Sequence, residues 1–253
     1  MTKTERLEEL FKRWQNKQKN EPDTSLLKTK VNCNYIDKEH FCKDGILCEN
    51  EYNAEKMKVL FIANEPNMES DISNTLVTSQ LEHFEYFFKN NKDNWGGKLR
   101  HRICKILYPA IVDMNLEVKA FPIADGNKNA HRIAFMNLNK RGGEKDIKDD
   151  HLIYYCKYYQ KEIYDEICII DPDIVVWLGK DSFYSCSDIV FETVKSINDS
   201  CKIVRINHKN IPLLNTYHPS YCYHISNEIR INDIRNKYRT YLKSKEVIEN
   251  VSK

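Results

Sequence analysis

The apolar positions of this chain switch between a helical period and short continuous runs, and their order predicts its elements. Leu7, Leu10, Phe11 and Trp14 stand at i, i+3, i+4 and i+7, the stripe of one helix face. From Glu21 to Asn53 the pattern turns irregular, with Pro22, Asp44-Gly45 and scattered cysteines, which predicts an arm wrapped on the main fold rather than a linker. Met57 to Ala63 is then a short apolar run, the mark of a parallel strand buried on both faces. Helical spacing follows over 76–90 and over 98–112, with Tyr108-Pro109 near the end of the second stretch. His131 to Met136 is the next strand. Asp149-Asp150 supply N-cap oxygens for a long helix whose apolar positions are Leu152, Cys156, Tyr159, Ile163, Ile167 and Ile170, stopped by Asp171-Pro172. Asp173 to Leu178 is a third buried strand, ended by Gly179 and followed by a helix. A weaker strand over 202–206 precedes the last one, Ile211 to Asn215. Ile234, Tyr238, Tyr241 and Leu242 make a closing amphipathic helix over 227–248.

Strands alternating with helices predict an α/β fold: a three-layer α/β/α arrangement with a central, mainly parallel four-stranded sheet, plus an amino-terminal helical and irregular arm. The expected division is an arm over 1–55 packed on a core domain over 56–253. With 253 residues, 41% of them hydrophobic and 30% charged, the chain lies in the globular range and is long enough to bury a full core.

Composition removes several functions. The seven glycines, at 45, 96, 97, 126, 142, 143 and 179, cannot assemble G-x-G-x-x-G or G-x-x-x-x-G-K-[ST], so neither a dinucleotide nor a P-loop nucleotide cofactor is expected. The nine cysteines are odd in number and form no C-x-x-C pair, which predicts a reducing, cytoplasmic compartment. The amino end is charged, and no apolar run approaches the ~18 residues of a membrane span. The expectation is an unexported chain without a membrane partner. Cys33, Cys42 and Cys48 lie near His40, but their spacing lacks the usual chelate pair, so core or loop thiols and no metal are expected. The net charge of +2 leaves any nucleic-acid case to local patches.

Ligands of open parallel sheets bind beyond the carboxyl ends of the strands. Three polar segments follow those ends: Asn64-Glu65-Pro66-Asn67, Asn137-Leu-Asn139-Lys140-Arg141-Gly-Gly143, and Asn215-Thr-Tyr-His218-Pro-Ser220-Tyr221. A carboxylate such as Glu65 can orient water and offset positive charge, a histidine such as His218 can donate to a departing anion, and an asparagine amide offers a donor and an acceptor in one plane. The alternatives are ordinary ones: a capping or salt-bridged glutamate, a satisfied loop histidine, turn asparagines and a solvated charged loop.

These blocks resemble the uracil-DNA glycosylase superfamily. Val59-Leu-Phe-Ile-Ala-Asn-Glu-Pro-Asn67 is similar to its first motif, Phe135-Met-Asn-Leu-Asn-Lys140 to its strand-end asparagine motif, Asp171 to Gly179 to its helix-to-strand passage, and Leu214-Asn-Thr-Tyr-His-Pro-Ser220 to its histidine-proline-serine motif. The four stand in the family's order over roughly residues 57 to 245. The resemblance implies a monofunctional DNA glycosylase, a hydrolase that flips a pyrimidine out of the stack and releases it as free base, leaving an abasic site. It needs no cofactor. Glu65 and His218 are the implied catalytic residues, with Asn64, Asn67, Asn137 and Asn139 around the base; Asn137 and Asn139, two apart on one strand, compete for the reading role. Lys140, Arg141, Ser220 and Tyr221 are the implied DNA contacts, reinforced by Lys128, His131 and Arg132. DNA is the expected partner, and a monomer the expected state.

The first motif departs from the family. Ala63 stands where glycine is usual, Asn67 where glycine or tyrosine is usual, and Met68 to Gln80 contains no aromatic residue to stack on the base. The expected substrates are therefore uracil or a larger modified cytosine, such as glucosylated hydroxymethylcytosine of phage DNA, in repair or in antiviral defence. The alternative is a non-catalytic protein that uses the same fold to bind modified DNA or a partner protein.

Overall fold

All the apolar runs above become strands, and the sheet they build is wider than the pattern predicts. A computed structural model of the protein describes residues 1–21, 41–64, 95–115, 126–141, 149–219 and 225–251. The strands are β1 (Gly45–Ile46), β2 (Val59–Ala63), β3 (Ile133–Asn137), β4 (Ile174–Leu178), β5 (Glu192–Asn198), β6 (Cys201–Ile206) and β7 (Lys209–Thr216), in the order β1-β3-β2-β4-β7-β6-β5. The parallel centre is β3-β2-β4-β7. Three antiparallel strands extend it, β1 beside β3 and β6 then β5 beyond β7, so the sheet is a seven-stranded mixed one rather than the four-stranded sheet expected. β1 escapes the pattern because two residues carry no period. β5 escapes because it is an edge strand with an almost wholly exposed face, and reads as polar loop. A two-residue turn with Asn207 and His208 both at positive φ joins β6 to β7, the geometry that matches strand twist in a tight hairpin.

Helices cover both faces of the sheet, in the three layers expected. Along α1 (Lys3–Lys19), capped by Thr2 and Glu5 in a reciprocal box, Leu7, Leu10, Phe11 and Trp14 are buried. A short helix, α2 (Glu49–Ala54), follows β1. The stretch expected as one helix over 98–112 is α3 (Trp95–Arg102), a π turn over Ile103–Leu107, and α4 (Tyr108–Val112). Pro109 has no N–H to give to the preceding turn, and the wide turn absorbs that gap. Beyond α5 (Gly126–Ala130), the long helix expected over 152–170 is two, α6 (Asp149–Tyr158) and α7 (Gln160–Ile170), bent at Tyr159. The last are α8 (Lys180–Val190) and α9 (Asn227–Val251). The helix expected over 76–90 lies outside the described residues.

Strand alternation assigns the two faces. Leu60, Ile62, Ala134, Met136, Val175 and Trp177 pack with α1, α6, α7 and α8. Val59, Phe61, Ile133, Phe135, Val176 and Leu178 pack with the π turn, α4 and α9. The amino-terminal helix thus shares a core with the sheet. Among the described residues no helix is long and apolar enough to cross a membrane.

Candidate active site

Because β2, β3, β4 and β7 are parallel, the residues just past them share one edge of the sheet. Backbone bonds zip those ends together: Asn139 N–H donates to Asn64 O at 2.9 Å, Leu138 N–H to Ala63 O at 2.9 Å, and Gly179 N–H to Thr216 O at 3.1 Å. Asn64, Asn137, Asn139, Gly179 and the Thr216-Tyr217-His218 turn therefore stand side by side. Glu65, Asn67, Ser220 and Tyr221 lie outside the described residues.

Gly179 is the hinge between β4 and α8, at φ +140°. A Cβ there would sit 3.0 Å from Ser182 Oγ and 3.7 Å from Asn64 Oδ1, so both the backbone and the space call for glycine. Gly179→Ala is expected to destabilise the protein by about 1–3 kcal/mol, the usual cost of a residue forced into such a conformation. Urea unfolding with unchanged slope checks this; a midpoint equal to that of the unsubstituted protein would contradict it.

His218 follows β7 and is partly buried. Two guanidinium groups hold the carbonyls of its turn: Arg230 Nη1 donates to His218 O at 3.3 Å, and Arg102 Nη1 donates to Pro219 O. Burial, with the positive charge of Arg230 beside it, lowers the His218 pKa from 6.5 to about 4. The imidazole is neutral at pH 7 and remains an N–H donor. α9 fixes this end of β7 through Asp233, which accepts from Thr216 Oγ1 at 3.1 Å, and Lys237, which donates to Asn215 O at 2.8 Å.

The folded pKa of His218 lies below the unfolded value, so between those values the unfolded chain binds the extra proton and acid favours unfolding. Stability from this group is complete above about 6.5 and is lost as pH falls toward 4. In thermal melts across that window the unsubstituted protein is expected to lose Tm on acidification relative to His218→Gln; parallel curves would contradict the shift.

Asn137 is buried, at 2% exposure. Asp44 Oδ2 accepts from its backbone N–H at 2.6 Å and from its Nδ2 at 3.4 Å. Asn139 is different: its Oδ1 accepts from the Arg141 backbone N–H at 3.0 Å, closing a local turn. Asn139 Oδ1 is thereby engaged in a local turn, whereas Asn137 faces Asp44. Asn64 keeps a buried Oδ1 with no hydrogen-bond partner among the described residues.

Two of the cations expected to hold phosphate, Lys140 and Arg141, do not reach the surface. The Lys140 ammonium is fully buried between Asp44 and Glu166, 2.8 Å from Glu166 Oε2, and lies over the rings of Phe11 and Trp14. Asp44 and Glu166 raise its pKa despite its burial. Arg141 is also buried, paired with Glu21, and its Nη2 donates to Tyr159 Oη at 3.2 Å. Neither side chain can meet a DNA backbone, which corrects the role expected of both. Lys128, His131 and Arg132 precede β3 and so lie at the opposite edge of the sheet; His131 and Arg132 face Glu51 and Glu55 there. Of the three cysteines near His40, Cys42 and Cys48 are described, both as free thiols.

The residues that sequence reasoning missed are Asp44, Glu166, Arg102 and Arg230. Asp44 reads as a turn residue before Gly45, and the other three sit within helical patterns. No protein-family model matches the chain, and no curated protein matches it in sequence.

Proposed function

We propose that the protein is a DNA glycosylase that hydrolyses the N-glycosidic bond of an extruded pyrimidine nucleotide. The observation that carries this is the neutral His218 at the shared strand edge, two strands from the end of β2 at Asn64 and three from Asn137 at the end of β3. Breaking an N-glycosidic bond leaves negative charge on the base and positive charge on the sugar. A neutral imidazole donates a hydrogen bond to the base without first giving up a proton, and its low pKa keeps it in that form throughout the physiological range. The guanidinium groups of Arg230 and Arg102, donating to the His218 and Pro219 carbonyls, hold this turn in place before the substrate arrives.

Glu65, directly after Asn64, supplies a carboxylate for water and for the oxocarbenium-like sugar. Asn137 reads the base edge. Glu65 needs no metal for this task, and His218 needs no cofactor. With Lys140 and Arg141 committed to the interior, the grip on DNA falls to the sequence His218-Pro219-Ser220-Tyr221 and to exposed groups at the shared edge, Tyr217 and Lys180. Tyr217 has a flat face for stacking, and Lys237 lies 6.0 Å from its ring centre.

The substrate class is uracil or an enlarged cytosine. The test uses end-labelled duplexes with one such base. Incubation followed by hot alkali is expected to break the labelled strand at that base, with the strand intact before alkali. Tight binding with no alkali-labile site on any duplex would instead favour a DNA-binding protein that has lost the chemistry.

A further inference from the structure

Asp44 has no part in breaking the glycosidic bond, yet it is 1% exposed and points at the residue that reads the base. β1 pairs antiparallel with β3, with Gly45 opposite Phe135. That register sets Asp44 beside Met136, and its side chain reaches one residue further along β3, to Asn137. There one carboxylate oxygen accepts from both the backbone N–H and the Nδ2 of Asn137, while the other accepts from Lys140.

A side-chain amide has a donor end and an acceptor end of nearly equal shape, and only its partners decide which way it points. A carboxylate only accepts. Asp44 consequently selects the Nδ2 end and leaves Oδ1 on the other side. We propose that Asp44 is a positioning residue for base recognition, holding the Asn137 amide so that Oδ1 meets the base edge, and that the amino-terminal segment is thereby part of the recognition site. This rests on the glycosylase reading. Its chemical consequence is that the accepted base carries an N–H on that edge, a ring imide or an exocyclic amine.

Lys140 and Glu166 keep Asp44 in this role. Lys140 supplies the counter-charge for Asp44, its ammonium locked under Phe11 and Trp14. Glu166 is the second acid on the same lysine, and burial pushes its carboxyl well above the usual range against the pull of Lys140, with Asp44 adding to the push. It already contacts the Lys140 ammonium and stays beside it when Asp44 is neutralised. Asp44→Asn therefore keeps a compensated cluster, Lys140 with Glu166, while the amide it introduces, able to donate as well as accept, no longer dictates the orientation of the Asn137 side chain.

The test is a double-mutant cycle. Single-turnover base release is measured for the unsubstituted protein, Asp44→Asn, Asn137→Ala and the double variant, on whichever pyrimidine-containing duplex the unsubstituted protein cleaves fastest. Asp44→Asn is expected to slow release tenfold or more while Kd for the duplex stays within twofold. The double variant is expected to match Asn137→Ala alone within twofold. Release by Asp44→Asn within twofold of the unsubstituted rate, or losses that multiply in the double variant, would overturn the positioning role and leave the glycosylase reading standing. No release by the unsubstituted protein from any duplex would end both. Where Asp44→Asn fails to melt cooperatively, Asp44→Asn with Lys140→Met replaces it in the cycle, with the same expected outcomes.

Discussion

Replacement of His218 by alanine is expected to slow single-turnover base release by a hundredfold or more, and Glu65→Gln by a similar factor, about 3 kcal/mol for each transition-state interaction removed. The two effects have different origins. His218 acts on the leaving base, where charge appears only as the bond breaks, so its removal lowers the rate while duplex affinity barely changes. Glu65→Gln keeps a group that can hold water but removes the negative charge that offsets the oxocarbenium-like sugar. His218 is anchored by backbone carbonyls accepting from Arg102 and Arg230, bonds that its own side chain does not make, so His218→Ala is expected to melt close to the unsubstituted protein. Near-normal release in both variants would refute the site.

The second large effect falls on stability. Lys140→Ala is expected to cost about 3–5 kcal/mol, because it strands the fully buried Asp44 carboxylate and opens a cavity under Phe11 and Trp14. For a chain of this length that corresponds to a fall in Tm on the order of ten degrees. A lysine that bound phosphate at the surface would behave differently, leaving Tm unchanged and flattening the salt dependence of DNA binding by about one unit of slope. Calorimetry alone separates the two; an unchanged Tm would contradict the buried assignment.

The contrast between Lys140 and His218 shows which features the sequence displays. The central strands were legible because both faces are buried and their runs are continuously apolar, as in Val59–Ala63 and Ile174–Leu178. Their parallel direction, and hence the shared edge with Asn64, Asn137 and His218, followed from the alternation of strand and helix. Lys140-Arg141 before two glycines has the composition of a solvated loop, and nothing local contradicts it. The acids that bury these cations are distant in sequence, Asp44 96 residues before Lys140 and Glu166 26 after it. Such pairs are invisible to any window read along the chain. The helix bend at Tyr159 was hidden for a related reason: the apolar period runs through it unbroken, and the rings of Tyr155 and Tyr159, 4.5 Å apart, both pack near Trp14 of the first helix.

The amino-terminal segment changes most in meaning. Read along the sequence it is an arm over 1–55 attached to a catalytic core. In the folded protein its helix supplies Phe11 and Trp14 over Lys140, Gln18 meets Tyr155, Glu21 pairs with Arg141, and Asp44 reaches Asn137. Each contact lands on or beside the carboxyl end of β3.

Mass spectrometry of the bases freed from DNA tests the central claim most directly. Duplexes carrying uracil, hydroxymethylcytosine or its glucosylated form are incubated with the protein, and the low-mass fraction is assayed for free base. Release of at least one of these pyrimidines as the intact base, with an equal amount of abasic site in the strand and strong suppression in His218→Ala, is the predicted result. Duplexes that are bound but return every base still attached to its sugar would contradict it.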